Sequence, residues 1–387
     1  MDGSPAPRHH CGPTDFGLIP AITPPGRVED ADVCSEPRRH HPAYLLGERI
    51  QSIANPIRGP DLIARSQCVR ALGSLSDVGP SSGAFSLPAS RPSEYDAVRF
   101  SLILPIPGPA APEQVLEFAE AADELGFHGV YMNSRVARPA DVASPHPYMP
   151  DGRAPWAIDI NWPDAFVVFS AIAARTRRLR FGPAVVPVIV THPLVLAKQA
   201  ATLDAYSGGR LELGLGAGWM LEEARAVDRP TDKRWQRLEE TIEILRLAWI
   251  HDTVAYAGRC YQFPAMGTYP HPVQGDKVPI WIGGHGPRAV EIAARFNTGL
   301  FLWGGYEPEK VADYVRRARK LSASVPVATL VDVATPPDKW ERLIGDMDRA
   351  GADMMVLSRP SVEGGKHLEM IRDFAARFLS GGSGRAS

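Results

Sequence analysis

TLDAYSGGRLELGLGAGW, residues 202–219, holds a helix end, a tight turn, a short apolar strand and a glycine-rich loop. Ser207-Gly208-Gly209 stops the helix, because glycine takes the left-handed backbone needed just past a helix end. Leu211, Leu213 and Leu215 then make a strand too short to stand alone. Gly214, Gly216 and Gly218 leave its exit bare of side chains. Such a backbone at the C-terminal end of a central strand either lets a ligand come close or packs tightly against its neighbours. Taken alone, the segment leaves both readings open.

Outward from this stretch the chain alternates apolar runs with amphipathic ones. Strands are predicted at Arg99–Pro105, Gly129–Asn133, Arg180–Val186, Leu211–Leu215, Ile280–Ile282, Leu300–Trp303, Pro326–Val333 and Asp353–Leu357. Helices are predicted at Pro112–Leu125, Pro163–Arg175, Pro193–Tyr206, Lys233–Trp249, Gly286–Phe296, Pro308–Leu321, Pro337–Ala350 and Val362–Phe378, with prolines marking several first turns. A small hairpin is predicted over Val254–Phe263, turning at Gly258. Alternation of this kind implies a parallel sheet covered on both faces, and a run of this length closes most simply as a (β/α)8 TIM barrel. The runner-up, an open doubly wound sheet, lacks the GxGxxG expected after its first strand.

Residues 1–95 read differently. Pro5, Pro7, Pro13, Pro20, Pro24 and Pro25 break any periodicity, and the one short helix there falls near Asp61–Leu72. We expect a disordered or loosely packed extension over 1–95, the barrel over 96–380 and a flexible tail over 381–387. His9, His10, His40 and His41 with Cys11 and Cys34 match no zinc spacing, so no metal site is expected. The four cysteines are scattered and the formal charge is -2. No apolar run reaches membrane-spanning length. These features point to a soluble cytoplasmic protein with a small-molecule substrate, no nucleic-acid or membrane partner, and room for a homodimer.

In such a barrel the functional face lies at the strand C-termini. There the sequence places Asn133-Ser134, the Ala184-Val185 stretch, Gly216-Ala217-Gly218-Trp219, Gly283-Gly284-His285-Gly286 and Trp303-Gly304-Gly305. PIWIGGHGPRA, residues 279–289, passes from a strand through paired glycines into a helix, with Arg288 in its first turn. Free amides and the helix dipole make that junction suited to a phosphate, or simply a tight connection. His192, opening a helix on the same face, could exchange a proton or serve as a structural hydrogen-bonder. Trp156, Trp162, Trp219 and Trp303 could wall a flat ligand. Arg175, Arg177, Arg178 and Arg180 fall on the opposite face, where solvated charge is expected. An aldolase-type barrel is disfavoured, since no lysine stands at a predicted strand end.

Taken together, RLRFGPAVVPVIVTHPLVLAKQAATLDAYSGGRLELGLGAGW (178–219), RLEETIEILRLAW (237–249) and PIWIGGHGPRA resemble the bacterial luciferase-like monooxygenase family, and within it the coenzyme F420-dependent oxidoreductases. The resemblance covers roughly residues 97–378. It implies a barrel holding F420, or alternatively FMN, with the cofactor phosphate at Gly283, Gly284, His285 and Gly286. It implies a third-strand bulge at Ala184-Val185, often a cis peptide, behind the ring, and the loop Gly216–Trp219 beside it. Where many members carry Asp-His, this chain has Asn133-Ser134. Asn133 can still hydrogen-bond a ring edge, but proton delivery then falls to His192, Glu222 or water. The loop carrying Trp156 and Trp162 becomes the substrate wall. The implied activity is hydride transfer between the deazaflavin and a small organic substrate. The alternatives are an FMN-dependent two-component monooxygenase, or a cofactor-binding barrel with reduced or no catalysis.

Overall fold

The computed structural model describes residues 98–106, 108, 110–304, 307–333, 336–358 and 366–379. The expected helix Asp61–Leu72, the outer segments 1–95 and 381–387, Gly305 and the start of the last helix lie outside them.

The strands are β1 (Arg99–Ile103), β2 (Gly129–Met132), β3 (Arg180–Pro183), β4 (Val186–Pro187), β5 (Leu213–Gly216), β6 (Val254–Ala257), β7 (Gln262–Met266), β8 (Ile280–Gly283), β9 (Gly299–Leu302), β10 (Val327–Asp332) and β11 (Met354–Ser358). Nine of them form one parallel sheet in the order β3-β2-β1-β11-β10-β9-β8-β5-β4. The ends meet. A bridge joins Phe181 to Leu211, and Glu212 N donates to Phe181 O at 3.0 Å. The result is the expected (β/α)8 TIM-type barrel, with one correction. The third strand is not continuous over Arg180–Val186 but breaks into β3 and β4 at a cis Ala184–Val185 peptide. The hairpin β6–β7 turns where expected, with Gly258 N donating to Tyr261 O at 2.9 Å.

The helices are α1 (Pro112–Leu125), α2 (Ala165–Arg175), α3 (Pro193–Ser207), α4 (Leu221–Ala226), α5 (Arg234–Ile250), α6 (Pro287–Arg295), α7 (Pro308–Leu321), α8 (Trp340–Arg349) and α9 (His367–Phe378). Local chemistry sets their ends. The Asp164 carboxylate accepts the Val167 amide at 3.0 Å and starts α2. Gly208, at φ 70°, ends α3 in the left-handed cap its sequence suggests. The six-residue α4 stands where a loop was expected, and the helix predicted over Pro337–Ala350 opens with a 3-10 turn over Pro337–Lys339. Among the described residues no helix is long and apolar enough to cross a membrane.

Period-2 alternation divides the core into two shells. Inside the ring lie Ile103, Tyr131, Trp281, Phe301, Leu330, Met354 and Val356. Between ring and helices lies a larger shell that includes Leu102, Val130, Phe169, Phe181, Leu245, Ile282 and Leu357.

The lower end of the lumen is polar and is held by one carboxylate. Glu212, 1% exposed, accepts from Tyr131 Oη at 2.7 Å and Trp281 Nε1 at 2.9 Å. It pairs with His128 Nε2 at 2.9 Å and Arg180 Nε at 2.8 Å. Burial alone pushes this carboxyl up, but His128, Arg180 and Arg99 outweigh it and hold it below the ordinary value of 4.5. Arg180 therefore departs from the expected solvated run. It spans to a buried partner, whereas Arg175 pairs with Glu113 and Glu120 at the surface.

Removing the Glu212 carboxylate strands its buried partners, so Glu212→Ala should lose about 3–5 kcal/mol in urea denaturation. A depressed folded pKa gives stability that is present above the unfolded value and lost as pH falls towards the folded one. The parent's urea midpoint should therefore drop as pH falls below 4.5, and Glu212→Gln should remove that part of the slope.

Candidate active site

The strand C-termini open into a hollow lined by residues from several places in the chain. Asn133 and Ser134 follow β2, and Ala184, Val185 and Pro187 come from the break in the third strand. Gly216, Ala217, Gly218 and Trp219 follow β5, Gly283 to Gly286 join β8 to α6, and Trp303 follows β9. The loop between β2 and α2 closes one side with His146, Pro147, Tyr148 and Trp156.

Val185 decides the spacing of this floor. A Cβ on Gly283 would lie 2.7 Å from Val185 Cγ1, and one on Gly216 would lie 2.6 Å from Val185 Cγ2. One on Gly214 would lie 2.2 Å from Pro183 O, with the Val185 side chain further off at 3.0 Å. Gly216 and Gly283 are bare because a neighbouring isopropyl group fills the space, which for Gly216 is the packed reading of the glycine-rich strand. Gly218, whose Cβ would lie 2.5 Å from Ile189 Cγ1, is bare for the same kind of reason. Gly286 differs. A Cβ there would meet nothing within 4 Å, and Gly286 stands as the N-cap of α6 with no side-chain cap. The clear approach to backbone amides is at this helix opening.

Arg288 does not face that approach. It pairs with Glu239 and, at 3.2 Å, with Glu291 on the outer surface. The cation at the rim is instead Arg234, in the first turn of α5, which lines the hollow and donates from Nη1 to Gly218 O at 2.9 Å. Trp235 beside it also lines the hollow.

Of the residues expected to supply a proton, neither lines the hollow. His192 is the N-cap of α3, where Nδ1 accepts the Leu194 amide at 3.2 Å. Its ring packs edge-on to Tyr261 and Phe263, and burial with the nearby Arg229 lowers its pKa. Glu222, on α4, accepts from the Ser144 amide at 3.0 Å and the Ser144 hydroxyl at 3.1 Å. Burial opposes ionisation there, but these hydrogen bonds and backbone amides hold the carboxyl below its ordinary value. An ionised carboxylate already accepting donors is a tether. Its neighbour Glu223, fully buried, accepts the Val136 amide at 2.7 Å and Arg135 Nη1 at 2.6 Å. Together they pin the β2–α2 loop.

The tryptophans separate. Trp156, Trp219 and Trp303 line the hollow, whereas Trp162 stands behind. Its Nε1 donates to Asn133 O at 3.1 Å and its ring meets Trp156 edge-on at 5.1 Å. Arg135 lies over Trp219 at 5.2 Å.

Sequence reasoning passed over His146, Tyr148, Arg135 and Arg234. His146 lies between two prolines in a loop without periodicity, so no spacing marks it. It is 7% exposed, with its ring 4.8 Å from Trp219 and 5.3 Å from Trp156. Burial, then Arg135, lowers its pKa against the opposing pull of Asp151. Burial lowers His285 as well, and burial together with Tyr314 pushes Tyr148 up to about 12. At neutral pH the hollow therefore holds neutral imidazoles and a neutral phenol. Among the described residues, no group of three His, Cys, Asp or Glu could hold a metal ion.

A model of the family described as luciferase-like monooxygenase matches residues 87–335. The chain belongs to the luciferase-like monooxygenase family. Among its luciferase-like relatives is an uncharacterized protein of Mycobacterium tuberculosis (strain ATCC 25618 / H37Rv), 32% identical over 206 residues, 53% of this chain and 70% of that protein. An F420-dependent glucose-6-phosphate dehydrogenase of Microbacterium testaceum is 34% identical over 201 residues, 51% of this chain and 54% of that enzyme. In fold, the chain is similar to an F420-dependent secondary alcohol dehydrogenase in complex with an F420-acetone adduct. The TM-score is 0.58 at 16% identity, over 72% of this chain and 99% of that one. It is also similar to the monooxygenase RslO1 from Streptomyces bottropensis, with a TM-score of 0.56 at 22% identity, over 73% of this chain and 99% of that one.

If Val185 sets the clearance of the floor, Gly283→Ala should cost about 1–3 kcal/mol by overpacking. Val185→Ala in the same chain should recover much of that loss. A double-mutant cycle read by urea denaturation should give a coupling of at least about 0.5 kcal/mol; additive losses would place the clash elsewhere.

Proposed function

We propose that this luciferase-like protein is an F420-dependent oxidoreductase that transfers hydride between the deazaflavin and a small organic substrate. The supporting observation is a single hollow that joins an open helix N-terminus, at Gly286, to an aromatic chamber beside the Gly216–Trp219 loop. The relatives named as F420-dependent dehydrogenases support the same reading.

The residues present fit an anionic, planar group. At one end, the opening of α6 offers backbone amides and the positive end of its dipole to a phosphate, and Arg234 adds a cation at the rim. Val185, Trp219 and Trp303 line the same hollow and supply apolar surface for the ring. When bound, the deazaflavin supplies a ring carbon able to give or take a hydride. The protein's part is to fix the ring edge, through Asn133, and to keep water out of the chamber with Trp156, Tyr148 and His146. FMN makes the same demand at the phosphate end, so the two cofactors are separated by titration.

Gly286→Asp is a direct test, because the site has room for a side chain and aspartate is a good helix cap. It places a carboxylate where the phosphate would sit. Fluorescence titration should show F420 binding weakened by about tenfold or more, about 1.4 kcal/mol, while the uncharged Gly286→Asn stays close to the parent. Equal affinity in all three proteins would remove the phosphate from this helix opening. Tighter binding of FMN than of F420 by the parent would favour the monooxygenase reading.

A further inference from the structure

The geometry points to His146 as the neutral hydrogen-bond donor that polarises the substrate, which defines the substrate as a small carbonyl or imine compound. This inference rests on the cofactor reading above and adds to it the chemical class of the second ligand.

Of the other cationic side chains and imidazoles that line the hollow, each is already engaged or lies at its far end. Arg135 is paired with the buried Glu223 at 2.6 Å and lies over Trp219. Arg234 is at the exposed rim, donating to Gly218 O. His285 belongs to the junction leading to the phosphate end, in contact with Tyr148 at 5.2 Å between ring centres. His146 is the imidazole set among the tryptophans of the apolar part.

Its tautomer follows from its partner. Nδ1 accepts the Tyr148 amide at 3.3 Å, so in the neutral ring the hydrogen sits on Nε2. The main chain at this point is fixed by His146 N donating to Gly152 O at 2.7 Å, and the ring is held edge-on between Trp219 and Trp156. Burial, and after it Arg135, lowers its pKa and favours the neutral ring, against the opposing pull of Asp151. A buried, oriented, neutral N–H is suited to a carbonyl oxygen or imine nitrogen. It strengthens as negative charge develops on that atom, with no charged partner to desolvate. Withdrawing density through the heteroatom leaves the attached or conjugated carbon electron-poor, the state in which it would accept hydride from the reduced deazaflavin, with water supplying the proton that neutralises the anion formed. The surrounding rings suit a compact apolar body, and the two arginines of the hollow are already engaged, Arg135 with Glu223 and Arg234 with Gly218 O.

The test uses the full chain, oxidised F420 and 2-cyclohexen-1-one, a pair that cannot turn over. The infrared carbonyl stretch of the bound enone should move to lower frequency in the parent. It should stay low in His146→Gln, which keeps an N–H donor, and return to its unbound position in His146→Phe. F420 affinity should stay within about twofold in both variants. With reduced F420, His146→Phe should lose about 10²-fold in kcat/KM for the enone, and His146→Gln should recover most of it. In the parent alone, the 15N-labelled His146 Nε2–H resonance should shift when the enone is added, a readout that does not depend on either variant folding. An unshifted carbonyl or Nε2 signal in the parent, or the same shift in His146→Phe, would overturn the assignment while leaving the cofactor reading intact. A parent that binds neither F420 nor FMN would overturn both.

Discussion

The floor of the site and the closure of the barrel meet at one side chain. Val185 stands in the break between β3 and β4, and its methyl groups occupy space that side chains on Gly216 and Gly283 would need. Two neighbouring strands therefore give up their side chains where they pass it. Close packing of this kind has no slack: a methyl group added on either side must displace backbone or leave its rotamer. The same contact that lets β4 lie against β5 also shapes the upper surface of the hollow. Fold and site are not separable there.

The two ends of the lumen solve opposite problems. At the lower end Glu212 is ringed by Tyr131, Trp281, His128 and Arg180, so a buried charge is fully partnered and the barrel is plugged. At the upper end the polar groups are neutral and the walls are aromatic. Charge is kept to the rim and to the paired Arg135–Glu223. A chamber of that character favours ligands that are flat and apolar, with anionic groups only at one edge.

Much of this was legible in the residues. Leucines and valines at alternate positions, bounded by prolines and glycines, place the barrel strands to within a residue or two, because periodicity records burial directly. The clusters 133–134, 216–219 and 283–286 could be assigned to one rim from strand ends alone, and they do line one hollow. What failed was anything depending on where a side chain turns. Arg288 stands in the first turn of the helix at the expected phosphate junction, yet the carboxylate of Glu239, from another helix, captures its side chain. For His192 the residues left proton exchange and a structural hydrogen bond both open, and its own helix takes Nδ1 as a cap. His146 carried no signal, since a loop has no period and its approach to Trp219 is a long-range contact. The break at Ala184–Val185 came from family resemblance; periodicity read one continuous strand.

The long loop that bears His146, Tyr148 and Trp156 is fastened by two adjacent carboxylates, Glu222 and Glu223, largely through main-chain amides of Val136 and Ser144. Amides are common to every residue but proline, so apart from Arg135 and Ser144 this fastening makes few demands on the side chains it holds. The rim can thus be rewritten over evolutionary time, one aromatic or polar group exchanged for another, without unmooring the segment. A lineage could change the molecules it handles while the barrel beneath stays as it is.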